Sequence, residues 1–183
     1  MSRPHAPAPV LLVMGVLHQP DFDLLPVTRR LERNFGPIQQ MTEPIPFRFT
    51  DYYEKEMGAQ LQRRFMMFTQ LIDPARLPKI KLATNVIESD FAGPNGRRRL
   101  NLDPGYLNAA HLILATGKNY THRPYLGHGI FADLTLMWQD KRYQNLPWTY
   151  PDYADASTHE ILTEFRRFYL DVVREQKGAL VSL

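Results

Sequence analysis

Val10-Leu11-Leu12-Val13-Met14-Gly15-Val16-Leu17 is an unbroken apolar run of eight residues, and it constrains the fold more than any other stretch. A continuous run of this length is a strand with both faces buried, because a half-exposed strand alternates and a membrane helix needs more than twice as many residues. It belongs at the centre of a sheet. His18-Gln19-Pro20-Asp21 follows where a signal peptide would place a small-residue cleavage site, so the run does not read as a targeting segment. No other stretch is long enough to span a membrane.

The rest of the chain supplies elements to surround that strand. Asp23 caps a helix with Pro26 in its first turn and Leu24, Leu31 and Phe35 on one face, and Gly36-Pro37 stops it. Ile38 to Phe49 contains Pro44 and Pro46, which confines any strand there to a sheet edge or interrupts it. Asp51 and Glu54 stand at capping-box spacing for a one-turn helix from Asp51 to Met57, with Gly58 as its stop. Arg64 to Ile72 is a buried strand, and Asp73-Pro74 opens a helix whose apolar face runs through Ile80, Ala83, Ile87 and Phe91. After a turn at Gly93-Pro94-Asn95-Gly96, Arg98, Leu100 and Leu102 alternate with Arg97, Arg99 and Asn101 as in a half-buried strand.

This order, β-α-β-β-α-β, is the ferredoxin-like arrangement. Three further strand-like pieces follow at 111–116, 129–138 and 141–146, the last two forming a hairpin. Ser157 and Glu160 form a capping box for a closing amphipathic helix of about five turns. The fold expected is therefore α+β: a mainly antiparallel sheet with helices on one face, a ferredoxin-like core, a C-terminal β-hairpin and a final amphipathic helix. Residues 1–183 form a single domain, with the Pro-rich residues 1–9 as a flexible leader.

The chain contains no cysteine, which excludes disulfides, thiolate catalysis, iron–sulfur clusters and Cys-ligated zinc, and a cytoplasmic location is expected. A formal charge of +3 supports only weak attraction to polyanions. No Walker loop, dinucleotide fingerprint or nucleophile elbow is present. Neither a cofactor nor the oligomeric state is legible.

Three polar constellations carry the candidate chemistry. In Asp51-Tyr52-Tyr53-Glu54-Lys55-Glu56, Asp51 and Glu54 share a helical face and can act as acid or base, or simply cap the helix. In Asn101-Leu102-Asp103-Pro104-Gly105-Tyr106, a strand running into a Pro-Gly turn, alternation puts Asn101 and Asp103 on one side with Tyr106 just beyond. Asp103 can equally initiate that turn. In the segment Gly117 to His128, Lys118, His122 and Arg123 can hold a phosphate or carboxylate, His122 can shuttle a proton, and Tyr125 adds a ring. A metal on His122, His128 and Asp133 lacks suitable spacing. The aromatic stretch Leu146 to Tyr153 either walls a cleft or pins the last helix.

Phe49-Thr50-Asp51-Tyr52-Tyr53-Glu54-Lys55-Glu56-Met57-Gly58, Asn101-Leu102-Asp103-Pro104-Gly105-Tyr106-Leu107 and Leu146-Pro147-Trp148-Thr149-Tyr150-Pro151-Asp152-Tyr153 resemble the signature stretches of a prokaryotic domain-of-unknown-function family, number 4416. The resemblance covers nearly the whole chain and implies that these segments carry a shared site. It implies no activity.

Two functions are compatible with this pattern. The first is a small-molecule site for an anionic ligand, held by Lys118, Arg123 and Arg99 with Asn101, Tyr106 and Tyr125. Asp51, Glu54, Asp103 and His122 would then serve as acid/base groups. The second is an RNA-binding face built on Arg97, Arg98, Arg99 and neighbouring aromatic residues.

Overall fold

In the computed structural model, which describes residues 3–94 and 96–181 and side chains as far as 176, the elements follow in this order. β1 (Val10–His18), α1 (Leu25–Phe35), β2 (Ile38–Met41), β3 (Ile45–Pro46), α2 (Glu54–Met57) and β4 (Gln62–Ile72) come first. A 3-10 turn at Pro74–Arg76 leads into α3 (Leu77–Asp90), then β5 (Leu100–Leu107), β6 (His111–Thr116), β7 (Tyr125–Gly127), β8 (Ile130–Gln139), β9 (Arg142–Asn145) and α4 (Ala156–Val181). The strands form one antiparallel sheet in the order β2-β4-β1-β5-β6-β8-β7, with β3 also on β4 and β9 also on β8.

β1 is central and buried throughout, as its apolar run requires, and its alternating faces meet different partners. Val10, Leu12, Met14 and Val16 pack with Val27 and Leu31 of α1 and Ile80 and Ile87 of α3. Leu11 and Val13 pack with Leu162, Phe165 and Tyr169 of α4. So α1 and α3 share one face, and the closing helix covers the other. Each large side chain fully buried here contributes roughly 1.5–3 kcal/mol of hydrophobic stabilisation.

Several local expectations hold. Asp23 accepts the Leu25 N–H and Asp73 the Ala75 N–H, both at 2.9 Å. The two proline-broken strands β2 and β3 lie on the outer side of β4. The β8–β9 hairpin turns at Asp140 and Lys141, whose φ values of 52° and 61° match the right-handed twist of the flanking strands.

Others need correction. α2 is only Glu54–Met57, and no side chain caps it; the Asp51–Glu54 box does not form, and the turn is closed by the Asp51 carbonyl accepting Glu54 N–H. α4 is 26 residues long, well beyond five turns. Its entry is held by Asp155, which accepts the Ser157 N–H at 2.9 Å, rather than by a Ser157–Glu160 box. In the turn at Gly93 to Gly96 the Gly96 N–H bonds the Gly93 carbonyl, and Asn95 lies outside the described residues. The leader from residue 3 to residue 9 is exposed and irregular.

The correction that matters most is at Asp103-Pro104-Gly105. No turn occurs there, and β5 continues to Leu107. Leu102 directs its N–H and C=O away from β1, towards side chains of α3, and the two-residue strand period puts the Pro104 nitrogen on that same side. β6 pairs with β5 only over Gly105–Leu107. The missing proline N–H therefore faces a stretch with no ladder to complete, which is where a strand tolerates proline.

Candidate functional site

β5 and β6 part company at Gly105. A Cβ on this residue would lie 2.5 Å from the Ile113 carbonyl oxygen, so glycine lets the strands approach at the last paired position. Beyond it they diverge, and a cavity of about 300 Å³ occupies the gap. Asn101 and Asp103 line it from β5, and Leu114 to Lys118 line it from β6 and its exit. Tyr52 and Tyr53 before α2, Tyr150 to Tyr153 before α4, and Lys81, Asn85 and Glu88 of α3 close the other sides.

The open edge of β5 is satisfied by side chains. Glu88 Oε1 accepts the Leu102 N–H at 2.8 Å, and Lys81 Nζ donates to the Leu102 carbonyl at 2.7 Å. The two side chains lie 3.7 Å apart as an ion pair. Buried backbone groups without partners are costly, so this pair lets the sheet stay divided.

Across the floor runs a continuous polar chain. Glu56 takes a bidentate bond from Arg98 at 2.8 and 2.6 Å, and Arg98 Nη1 donates to Asn101 Oδ1 at 2.9 Å. Asn101 Nδ2 donates to Asp103 Oδ1 at 2.8 Å, Arg63 Nη1 to Asp103 Oδ2 at 3.1 Å, and Arg63 Nη2 lies 2.6 Å from Asp152 Oδ2. Arg63 is buried. Gly15, opposite Asp103 in the β1–β5 register, makes room: a Cβ there would overlap the Tyr153 hydroxyl and lie 3.0 Å from Arg63 Nη1.

One arginine between two aspartates drives their proton affinities apart. Burial alone would raise the Asp103 carboxyl, but the Arg63 and Lys81 charges and the bonds from Asn101 and Arg63 hold it below the usual carboxylate value. For Asp152 burial prevails over Arg63, helped by repulsion from Asp103, and its affinity is raised. Burial also raises the phenols of Tyr53 and Tyr153, so both remain neutral hydrogen-bond donors. The buried Tyr153 hydroxyl has no hydrogen-bond partner among the described residues.

At the mouth, Lys118 Nζ donates to the Tyr52 hydroxyl at 3.2 Å and sits over its ring. Arg123 works from behind the wall: it bonds Asp133 at 2.8 Å, the Lys118 carbonyl at 3.1 Å and the Tyr150 hydroxyl at 2.6 Å. His122 stacks on Trp148 with centroids 4.5 Å apart, and its Nε2 is 3.6 Å from Asp133 Oδ2.

Of the residues expected to form a site, Asn101, Asp103 and Lys118 line the cavity, and Arg123 positions residues that do. Asp51 and Glu54 are exposed and outside it, because the short α2 turns its Glu56 side inward to Arg98. Arg99 bonds Gln19 at 3.1 Å and covers the Phe22 ring. Tyr106 packs into the small cluster around Leu77, Ala115 and Ile130. Tyr125 is exposed, its hydroxyl accepting the Gly129 N–H at 3.3 Å. His122 does not line the cavity; it stacks on Trp148 with its Nε2 3.6 Å from Asp133, which does.

Arg63, Lys81, Glu88 and Asp152 are the functional candidates that sequence reasoning missed. The signal for Arg63 is a charge just ahead of the apolar run Phe65–Phe68 in β4. For Lys81 and Glu88 it is two opposite charges seven residues apart on one helical face. The Leu146–Tyr153 stretch does both things proposed for it: Tyr150 to Tyr153 wall the cavity, and Tyr153 also packs with α4 residues. Among the described residues no group of three or more His, Asp or Glu side chains is placed to hold a metal, and no helix is long and apolar enough to cross a membrane.

The exposed positions of Asp51 and Glu54 make a direct prediction. Asp51→Ala and Glu54→Ala are each expected to change unfolding free energy by no more than about 0.5 kcal/mol in urea titrations. A loss of 1 kcal/mol or more would restore the capping box.

The fold and cavity define an antiparallel α+β protein with a cavity lined by charged, phenolic and apolar side chains from segments remote in sequence. The chain belongs to the family described as Domain of unknown function (DUF4416), whose profile matches residues 8–169. No curated protein and no solved structure matches it.

Proposed function

We propose that this protein binds a small anionic molecule in the divided sheet, which is built on a core we read as ferredoxin-like from its strand order β2-β4-β1-β5. One observation carries this: the three signature segments converge on a single cavity containing a buried hydroxyl without a protein partner. Buried polar groups are nearly always satisfied, so an orphan in a cavity wall marks a place for a bound group. Lys118 is the anchor for the anion. Among the described residues it is the one lining cation without a carboxylate partner.

If the bound molecule reacts, proton transfer falls to Asp152 and Asp103, whose affinities are displaced in opposite directions. Asp51, Glu54 and His122 take no part in this reading. The nucleic-acid alternative draws less support, because Arg98 is committed to Glu56 and Arg99 to Gln19 and Phe22, leaving Arg97 as the exposed member of the triplet.

The test is thermal shift and calorimetry against a panel of small phosphates and carboxylates. Lys118→Ala should weaken whichever anion binds by about 10–100-fold, the equivalent of losing a charged hydrogen bond worth roughly 1.5–3 kcal/mol. Absence of binding across the panel, or affinity indifferent to Lys118→Ala, overturns the reading.

A further inference from the structure

The charges around the cavity restrict what fills it. Arg63 is matched by Asp103 and Asp152, Arg98 by Glu56 and Glu88, and Lys81 by Glu88. A second charge lowered onto this floor would be buried without compensation, which is strongly unfavourable. The part of the ligand that reaches the floor is therefore neutral, and only its end at Lys118 carries charge.

Neutral does not mean apolar here. The Tyr153 hydroxyl is buried without a partner and Arg63 Nε makes no hydrogen bond, while Asp152 Oδ2, held by Arg63 Nη2 at 2.6 Å, keeps a second lone pair for a ligand hydroxyl. Asp103 and Tyr53 line the same space. An apolar group would leave the phenol unsatisfied. A hydroxyl both donates and accepts, so a body with several hydroxyls meets aspartate acceptors and phenol donors together. Phe47, Phe49 and the tyrosines beside them give the same cavity apolar ring surfaces, suited to the C–H faces of a saturated ring. At about 300 Å³ the space is at the small end of ligand pockets, which suits one ring and its charged substituent.

We infer that the ligand is a polyhydroxylated anion of monosaccharide size, a sugar phosphate or sugar acid, with its anionic group at Lys118 and its hydroxyls on the Asp103, Asp152 and Tyr153 floor. This rests on the reading of the cavity as an anion site and narrows it.

Calorimetry on the full chain separates the two claims. The probes are pentose and hexose monophosphates, hexuronates, and the hydroxyl-free counterparts phenyl phosphate and benzoate. At least one sugar phosphate or hexuronate should bind ten-fold or more tightly than its hydroxyl-free counterpart, and whether it is phosphate or carboxylate identifies the anion. Tyr153→Phe should abolish most of that ten-fold preference while leaving the affinity for phenyl phosphate or benzoate unchanged. Because the hydroxyl it removes is unpartnered, the ligand-free variant should melt no lower than the parent. Equal affinity for hydroxylated and hydroxyl-free probes, or a preference intact in Tyr153→Phe, overturns the sugar inference while Lys118-dependent anion binding stands. If no probe binds, both fall.

Discussion

Arg63→Met is expected to cost about 3–5 kcal/mol of unfolding free energy at pH 7, the largest effect of any single substitution around the cavity. Methionine occupies much of the arginine volume, so the loss is electrostatic rather than a matter of packing. Arg63 has 5% of its side chain exposed and stands between Asp103 and Asp152. Its removal leaves two carboxylates near one another without a counter-ion. The pH dependence identifies the cause. In the parent, Asp103 is held below its ordinary value, so its contribution is present above an unfolded pKa of about 3.9 and lost as pH falls through the folded value. Asp152 is raised and works in the opposite sense, its cost being relieved as pH falls through its folded value towards about 3.9. Without Arg63 both carboxyls are raised, so the variant should recover on acidification. Urea titrations at pH 7 and near pH 5 should show the gap between variant and parent narrowing. A gap under about 1 kcal/mol, or one that is constant with pH, would mean that the aspartates find other compensation.

The fold was more legible than the site, for reasons visible in particular residues. An apolar run such as Val10–Leu17 reports burial directly, and the prolines at 44 and 46 report the sheet edge, because both signals are local. Asn101 and Asp103 were assignable to one face from alternation alone, and both line the cavity. Arg63, Lys81 and Glu88 were not, since they sit in a strand and a helix where their charge reads as a solvated position. Only tertiary pairing shows that Lys81 and Glu88 bind the backbone of Leu102. Asp51 and Glu54 had the right spacing for a cap, and the single turn was read correctly, but spacing cannot show that this turn is anchored instead by Glu56 on Arg98 and by Gln19 on the Met57 carbonyl. Pro104-Gly105 was misread because the pair that makes a turn also makes a strand that loses one neighbour. Which it does depends on β1 holding the other side of β5 in register from Leu100 to Leu107.

That last point leads to the second large effect. Gly105→Ala should destabilise the protein by about 1–3 kcal/mol, as overpacking does, and should also weaken ligand binding. The backbone at Gly105 is not in the left-handed region, so alanine meets no conformational strain. Reduced freedom of the unfolded chain would even favour it by roughly 0.4–1 kcal/mol. The steric cost prevails because the nearest atom to the new Cβ, at 2.5 Å, is the Ile113 carbonyl oxygen, with the Leu114 side chain next at 2.7 Å. A flexible side chain could swing aside; a carbonyl fixed in a strand cannot. β6 would have to move away from β5 at the last pair before the cavity, carrying Leu114 to Lys118 with it. Pro104→Ala is the informative contrast: Pro104 is buried, so an added N–H without a partner on the unpaired side of β5 should cost about 1–3 kcal/mol, yet it puts no atom against β6, which pairs with β5 only from Gly105 onward. Hydrogen exchange at Ile113 and Leu114 would register the difference, with faster exchange in Gly105→Ala and parental rates in Pro104→Ala. Equal rates in all three proteins would show that the separation of β5 and β6 does not depend on this glycine, and the account of how the chain opens its cavity would have to be rebuilt around the Lys81–Glu88 pair alone.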